Sequence, residues 1–218
     1  MRRYPLVLVL AACGSAAPRP QPPGTRGPHA SEELEEARRH DERAHEKTLY
    51  PDVRRTDSTG RTDQLLVGTP WHRTWDSPED EERMAATHRG AAAQLYADYE
   101  KACGTRPQSE VSVSPLVRFG TGGSTVDNGV VIYLTPQAGG PDKLLSDIDC
   151  HRAWMMLAPG DMDDCPLDLA GISFDAVGAK EGITLTITSK NRAVIGELQR
   201  RAAHELEKAS KLQSGATR

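Results

Sequence analysis

Two cysteines, a histidine and three methionines fall within the seventeen residues from Cys150 to Pro166, inside the stretch DCHRAWMMLAPGDMDDCPLDL. Donors of this kind at this density suit three chemistries. The first is a disulfide. Cys150 and Cys165 would close a loop of about sixteen residues, worth ~3 kcal/mol of loop-closure entropy, and Cys103 is an alternative partner because spacing does not fix connectivity. The second is a soft-metal centre. Thiolate and thioether sulfur select Cu(I) and imidazole tolerates it, so Cys150, His151, Met155, Met162 and Cys165 form a candidate set, with Met156 beside them. His151 and Met155 stand one helical turn apart and can face one ion. Cys150 is turned about 100° around the axis from His151, and Met155 also falls on an apolar stripe, where methionine usually fills core. The third is catalysis by a thiol, for which Cys150 and His151 diverge and no CxxC or oxyanion loop is present. Asp161, Asp163 and Asp164 lack the spacing and glycine of an EF-hand loop and read as a solvated turn. The balance favours structural sulfur chemistry, keeps Cu(I) binding as the alternative and assigns no catalytic residue.

The stretch joins two similar halves. Ser114-Pro115-Leu116 corresponds to Cys165-Pro166-Leu167, GVVIYLT from Gly129 to GITLTIT from Gly182, and LLSDIDCHRAW from Leu144 to VIGELQRRAAH from Val194. Each unit reads strand, turn, strand, helix. Ile183, Leu185 and Ile187 alternate with Thr184, Thr186 and Thr188, and Ile172, Phe174 and Ala176 alternate in the same way, which gives half-buried strands. GTGGST, Gly120 to Thr125, has no lysine and leads into a strand rather than a helix, so it reads as a hairpin turn and not a phosphate loop. Helices are expected near Pro141–Leu157, with Leu144, Ile148 and Met155 on the apolar stripe, and Asn191–Lys208, with Ile195, Leu198, Ala202 and Leu206. Both should cover one face of a four-stranded, mainly antiparallel sheet.

Ahead of the repeat, Ser77 is an N-cap, Pro78 suits the first helical position and Glu79 to Glu82 load the first turns with negative charge. Met84, His88, Ala91, Leu95, Tyr99 and Ala102 then recur at helical spacing, and the helix should end at Cys103 before Gly104. His88 on this stripe reads as a hydrogen-bonded core histidine. The class is therefore α+β, a helix followed by two ββα repeats. A further helix from Ser31 to about Lys47 carries Leu34 as its one sizeable apolar side chain, which predicts a solvated or frayed element with His40 and His45 on a charged face. His45-Glu46 and His204-Glu205 are not zincin motifs, because Leu49 and Lys208 stand where the second histidine is required. Trp71, His72 and Trp75 lie in a loop-like connection, where they cover a domain edge or form a recognition surface.

At the N-terminus Arg2 and Arg3 precede a short apolar run, Leu6 to Leu10, too short to span a bilayer and typical of an export signal. Leu10-Ala11-Ala12-Cys13 then resembles the lipobox of bacterial lipoproteins. The resemblance implies diacylglycerylation of Cys13 and its exposure as the mature N-terminus. Gly14, rather than aspartate, after that cysteine implies sorting to the outer membrane where the source has one. The division that follows is a signal peptide at residues 1–12, a lipid-anchored Pro-rich linker at 13–30, a polar helix and extended connection at 31–76, an α+β domain at 77–210 and a disordered tail at 211–218. Lys and Arg number 27 against 31 Asp and Glu, with the signs interspersed, so no basic stripe for nucleic acid is expected. The expected partners are the membrane, through the lipid, and a protein of the envelope.

A His-bearing helix ending in Cys, followed by two units with a Cys-His pair and a Cys-Pro-Leu, resembles a group of bacterial exported proteins of unknown function over roughly Ala85 to Ala203. In that group the first repeat also carries Cys-Pro-Leu, where this chain has Ser114. The resemblance implies the fold and no activity. The function expected is that of a cell-envelope lipoprotein with a non-enzymatic binding or structural domain.

Overall fold

The computed structural model describes residues 26–49, 77–157 and 164–215. The lipobox with Cys13, the Trp71–Trp75 segment, Met162, Asp161 and Asp163 lie outside them. The chain order is α1 (Ala30–Leu49), α2 (Pro78–Cys103), α3 (Gln108–Val111), α4 (Pro115–Phe119), β1 (Gly120–Val126), β2 (Gly129–Leu134), α5 (Pro141–Met155), β3 (Ile172–Ala179), β4 (Gly182–Ser189) and α6 (Arg192–Gly215). Short 3-10 turns at Pro136–Ala138 and Pro166–Asp168 precede α5 and β3.

The α+β class is observed, with a four-stranded sheet in the order β1-β2-β4-β3 and antiparallel pairing throughout. Val130, Ile132 and Leu134 of β2 and Ile183, Leu185 and Ile187 of β4 point to one face, where they are buried with Leu144, Ile148 and Met155 of α5 and Val194, Leu198 and Ala202 of α6. Both helices cover that face because their apolar stripes and the period-2 strands offer apolar surface on one side only. Each fully buried aliphatic side chain contributes ~1.5–3 kcal/mol, so this layer is the main source of stability. Tyr133 and Val177 are exposed on the strands' other face.

The two halves are related by an approximate two-fold axis. Pairing between β2 and β4 runs from Gly129↔Thr188 to Leu134↔Ile183 and passes through Ile132↔Leu185, two residues that the repeat makes equivalent, so the axis crosses the sheet there. Two-residue turns, Asp127-Asn128 and Lys180-Glu181, precede the equivalent glycines Gly129 and Gly182. A Cβ on Gly129 would lie 1.9 Å from the Ile187 carbonyl oxygen, and one on Gly182 1.9 Å from that of Leu134, which is the same contact repeated by the symmetry.

GTGGST is not the hairpin turn its composition suggests. It lies in edge strand β1, and the turn is Asp127-Asn128. Gly120 and Gly123 are needed because α6 rests on this strand: a Cβ on either would meet Leu206 at 3.0 Å, and one on Gly123 the Val131 carbonyl at 2.7 Å. Each unit opens with a helical turn, α4 in the first and Pro166–Asp168 in the second, ahead of its strand, turn, strand and helix.

Helix α2 follows its signals closely. Ser77 accepts from the Asp80 N–H in a reciprocal capping box, Pro78 starts the helix and Gly104 follows Cys103 at its end. Helix α1 departs from expectation: it packs along α2 rather than standing in solvent. Its seam consists of Ala30, Ala37 and Ala44, spaced by seven residues, against Ala85 and Ala92, so close approach replaces large apolar side chains. His40, expected on a solvated face, is 7 % exposed in this seam. Its Nδ1 lies 2.7 Å from the buried Glu81 carboxylate, and its ring stacks on His88 at 5.3 Å. The His88 Nδ1 meets Glu33 at 2.5 Å, so His88 is hydrogen-bonded as expected but half-buried in the helix seam rather than in the core. The Ala30 N–H also donates to the Met156 carbonyl at 2.8 Å, so α1 belongs to the folded unit and not to a separate stalk. At the other end α6 continues to Gly215, through part of the expected tail.

Candidate functional site

Cys150 and His151 leave α5 in different directions, as their 100° separation demands, and each meets a different neighbour. Cys150 faces the C-terminus of α2, where it forms a disulfide with Cys103. The bridge is buried with Val111, and Tyr99, Ala102 and Trp154 pack around it. The pairing corrects the first expectation, a Cys150–Cys165 bridge, in favour of the alternative partner. Its cause is tertiary, since Cys150 belongs to the α2-facing cluster and Cys165 to the sheet-facing core.

His151 is buried, and both ring nitrogens face protein groups. Nδ1 lies 2.6 Å from the Val111 carbonyl oxygen, which can only accept, so Nδ1 carries the proton. Nε2 is thereby an acceptor and faces the Cys165 sulfur at 3.8 Å, which makes the thiol the donor. Burial depresses the His151 pKa, so the ring is neutral. Burial likewise pushes the Cys165 thiol up to about 12, helped by the nearby Glu205 carboxylate. A thiol in that state is not a nucleophile at neutral pH.

Cys165 precedes the turn at Pro166–Asp168 without a side-chain capping bond, and the nearby Leu167 N–H and Ser114 hydroxyl partly offset the effect of burial on its thiol. Ser114 does cap α4, its hydroxyl accepting from the Leu116 N–H at 3.3 Å. The two residues that open the equivalent helical turns of the repeat therefore lie side by side. Glu205 of α6 is buried alongside, with one oxygen 3.0 Å from Lys208 Nζ.

The candidate Cu(I) set is consequently dispersed. Cys150 is spent in the disulfide, Met155 is buried in the sheet-facing core, Met162 lies outside the described residues, and only His151 and Cys165 come together. Among the described residues no group of three or more His, Cys, Asp or Glu is arranged to hold a metal. The contact that sequence reasoning missed is the meeting of Ser114 with Cys165. The alignment of Ser-Pro-Leu with Cys-Pro-Leu carried the signal for it.

Two recesses flank this cluster. The larger, about 710 Å³, runs between α2 and α5. Leu95, Ala102, Leu145 and Met156 give it apolar surface, and Asp98, Asp142, Asp149, Lys101, Arg26 and Arg152 give it balanced charge. Arg26 donates to the Arg152 carbonyl at 2.7 Å and lies 3.6 Å from Asp168, and the Arg152 guanidinium lies over Phe174 at 5.0 Å. The smaller, about 240 Å³, lies on the other side of the disulfide and has Cys150 and His151 in its wall. Compared with known proteins, the chain matches no family profile, no curated protein and no solved structure.

Proposed function

We propose that the protein is a cell-envelope lipoprotein, anchored by acyl chains on Cys13 and presenting a domain that binds or scaffolds rather than catalyses. The observation that carries this reading is the buried Cys103–Cys150 disulfide. Such bridges form and persist in oxidising compartments outside the cytoplasm. A Cys-bearing export signal in the same chain agrees with that address, and each acyl methylene buried in a bilayer adds ~0.8 kcal/mol to the anchor. The non-catalytic half of the reading rests on the central cluster. The Cys165 thiol is held protonated, the imidazole has both nitrogens facing protein groups and Cys103 and Cys150 are bridged, so these groups serve packing.

The test is expression of the full chain in a Gram-negative host supplied with labelled palmitate, with fractionation of inner and outer membranes. The wild type should carry label and band with the outer membrane, and Cys13→Ala should lose both. An unlabelled wild type in the soluble fraction would overturn the proposal.

A further inference from the structure

The smaller recess, about 240 Å³, lies between the Arg106–Phe119 segment and the first turns of α5. It is smaller than the ~300–1,000 Å³ usual for drug-sized ligands, so it suits a small molecule. One wall is apolar, formed by Val113, Pro115 and Phe119. His151 extends it, because both of its nitrogens are engaged elsewhere and the ring presents carbon.

The other wall carries one surplus positive charge, Arg106, Lys143 and Arg118 standing against Asp147 and Glu110. Arg106 and Lys143 share one carboxylate, that of Asp147, at 2.7 Å and 2.6 Å. Arg118 has no carboxylate partner among the described residues. It donates to the Glu110 backbone carbonyl and lies over the Phe119 ring at 5.7 Å. Its charge nevertheless reaches the recess, since it adds to burial in depressing the His151 pKa. A planar guanidinium held at the edge of an apolar wall matches a carboxylate in two parallel hydrogen bonds. A dianion would need the other two cations, and these are committed to Asp147.

We propose that this recess binds a small organic carboxylate, with its apolar body on Val113, Pro115 and Phe119 and its carboxylate on Arg118. The inference goes beyond the reading above and holds whether or not Cys13 carries a lipid. The test is calorimetric titration of the full chain in non-ionic detergent with benzoate, benzamide and inorganic phosphate, on wild type and Arg118→Ala. Arg118 is exposed, so the variant should keep the wild-type melting temperature. Saturable benzoate binding to one site, weakened at least about tenfold in Arg118→Ala and not shared by benzamide, is expected. Equal binding of benzamide would remove the charge recognition, and phosphate binding as tight as benzoate would remove the apolar wall. Benzoate binding that Arg118→Ala leaves unchanged, or none at millimolar concentration, would overturn the proposal outright.

Discussion

Removing the Cys103–Cys150 bridge tests both the connectivity and the packing argument behind it. The bridge spans 47 residues of sequence, and closing a loop of that length stabilises the folded state by about 4 kcal/mol through the entropy it removes from the unfolded chain. For a domain of this size each kcal/mol moves the melting temperature by about 2–4 °C. The double variant Cys103→Ala/Cys150→Ala, which leaves no unpaired partner, should therefore melt about 8–16 °C below the wild type by calorimetry. Alkylation without reductant, on a soluble form lacking residues 1–13, should find one thiol in the wild type, Cys165, and none in Cys165→Ala. The single variant Cys103→Ala should expose two thiols, because Cys150 and Cys165 belong to different packing clusters and cannot pair without moving α5. A double variant melting within about 2 °C of the wild type would refute the reasoning. So would a Cys150–Cys165 bridge appearing in Cys103→Ala.

Gly129→Ala and Gly182→Ala each place a Cβ 1.9 Å from a backbone carbonyl oxygen and should each cost about 3 kcal/mol or more in urea melts, whereas Gly122→Ala, with nothing within 4 Å, should be close to neutral. Cys165 has a folded pKa of about 12, above its ordinary value, so the unfolded chain loses this proton first. Stability should fall as pH rises from about 9 towards 12, and that slope should be shallower in Cys165→Ala. His151 has a depressed pKa, so below about 6.5 the unfolded chain gains a proton that the folded chain does not, and stability should fall with acid less steeply in His151→Asn.

Much of this architecture is legible in the sequence, and what is not has physical causes. The caps of α2, the alternation in β3 and β4 and the internal repeat are local signals. They led to the α+β class, and the sheet bears them out. Strand β1 was hidden because four of its seven residues are glycine or serine, and two of them, Gly120 and Gly123, admit Leu206 of a helix far along the chain. Helix α1 was legible as a helix, but its packing on α2 was hidden, because hydrophobic patterning weighs large side chains whereas the contact is made by Ala30, Ala37 and Ala44 with His40 among them. Disulfide connectivity depends on where α2 meets α5, which no spacing encodes. The 100° separation of Cys150 and His151 was legible, and it is the reason that the two residues serve different partners.

That separation also explains why residues able to do chemistry gather here without doing it. A repeat of two ββα units needs a seam where its halves meet, and the sheet supplies it along β2 and β4, centred on Ile132↔Leu185. On the helical side the halves meet at Ser114 and Cys165, the buried residues that open the two equivalent helical turns, where polar atoms are held away from water. Ser114 and Cys165 bring two such atoms into contact. The free acceptor on His151 then accepts a hydrogen bond from the thiol, and the Val111 carbonyl fixes the tautomer that makes this acceptor available. Each donor answers an acceptor created by the fold itself. The cluster is thus accounted for as the polar seam of a duplicated core, and a search for ligands belongs in the recesses beside it.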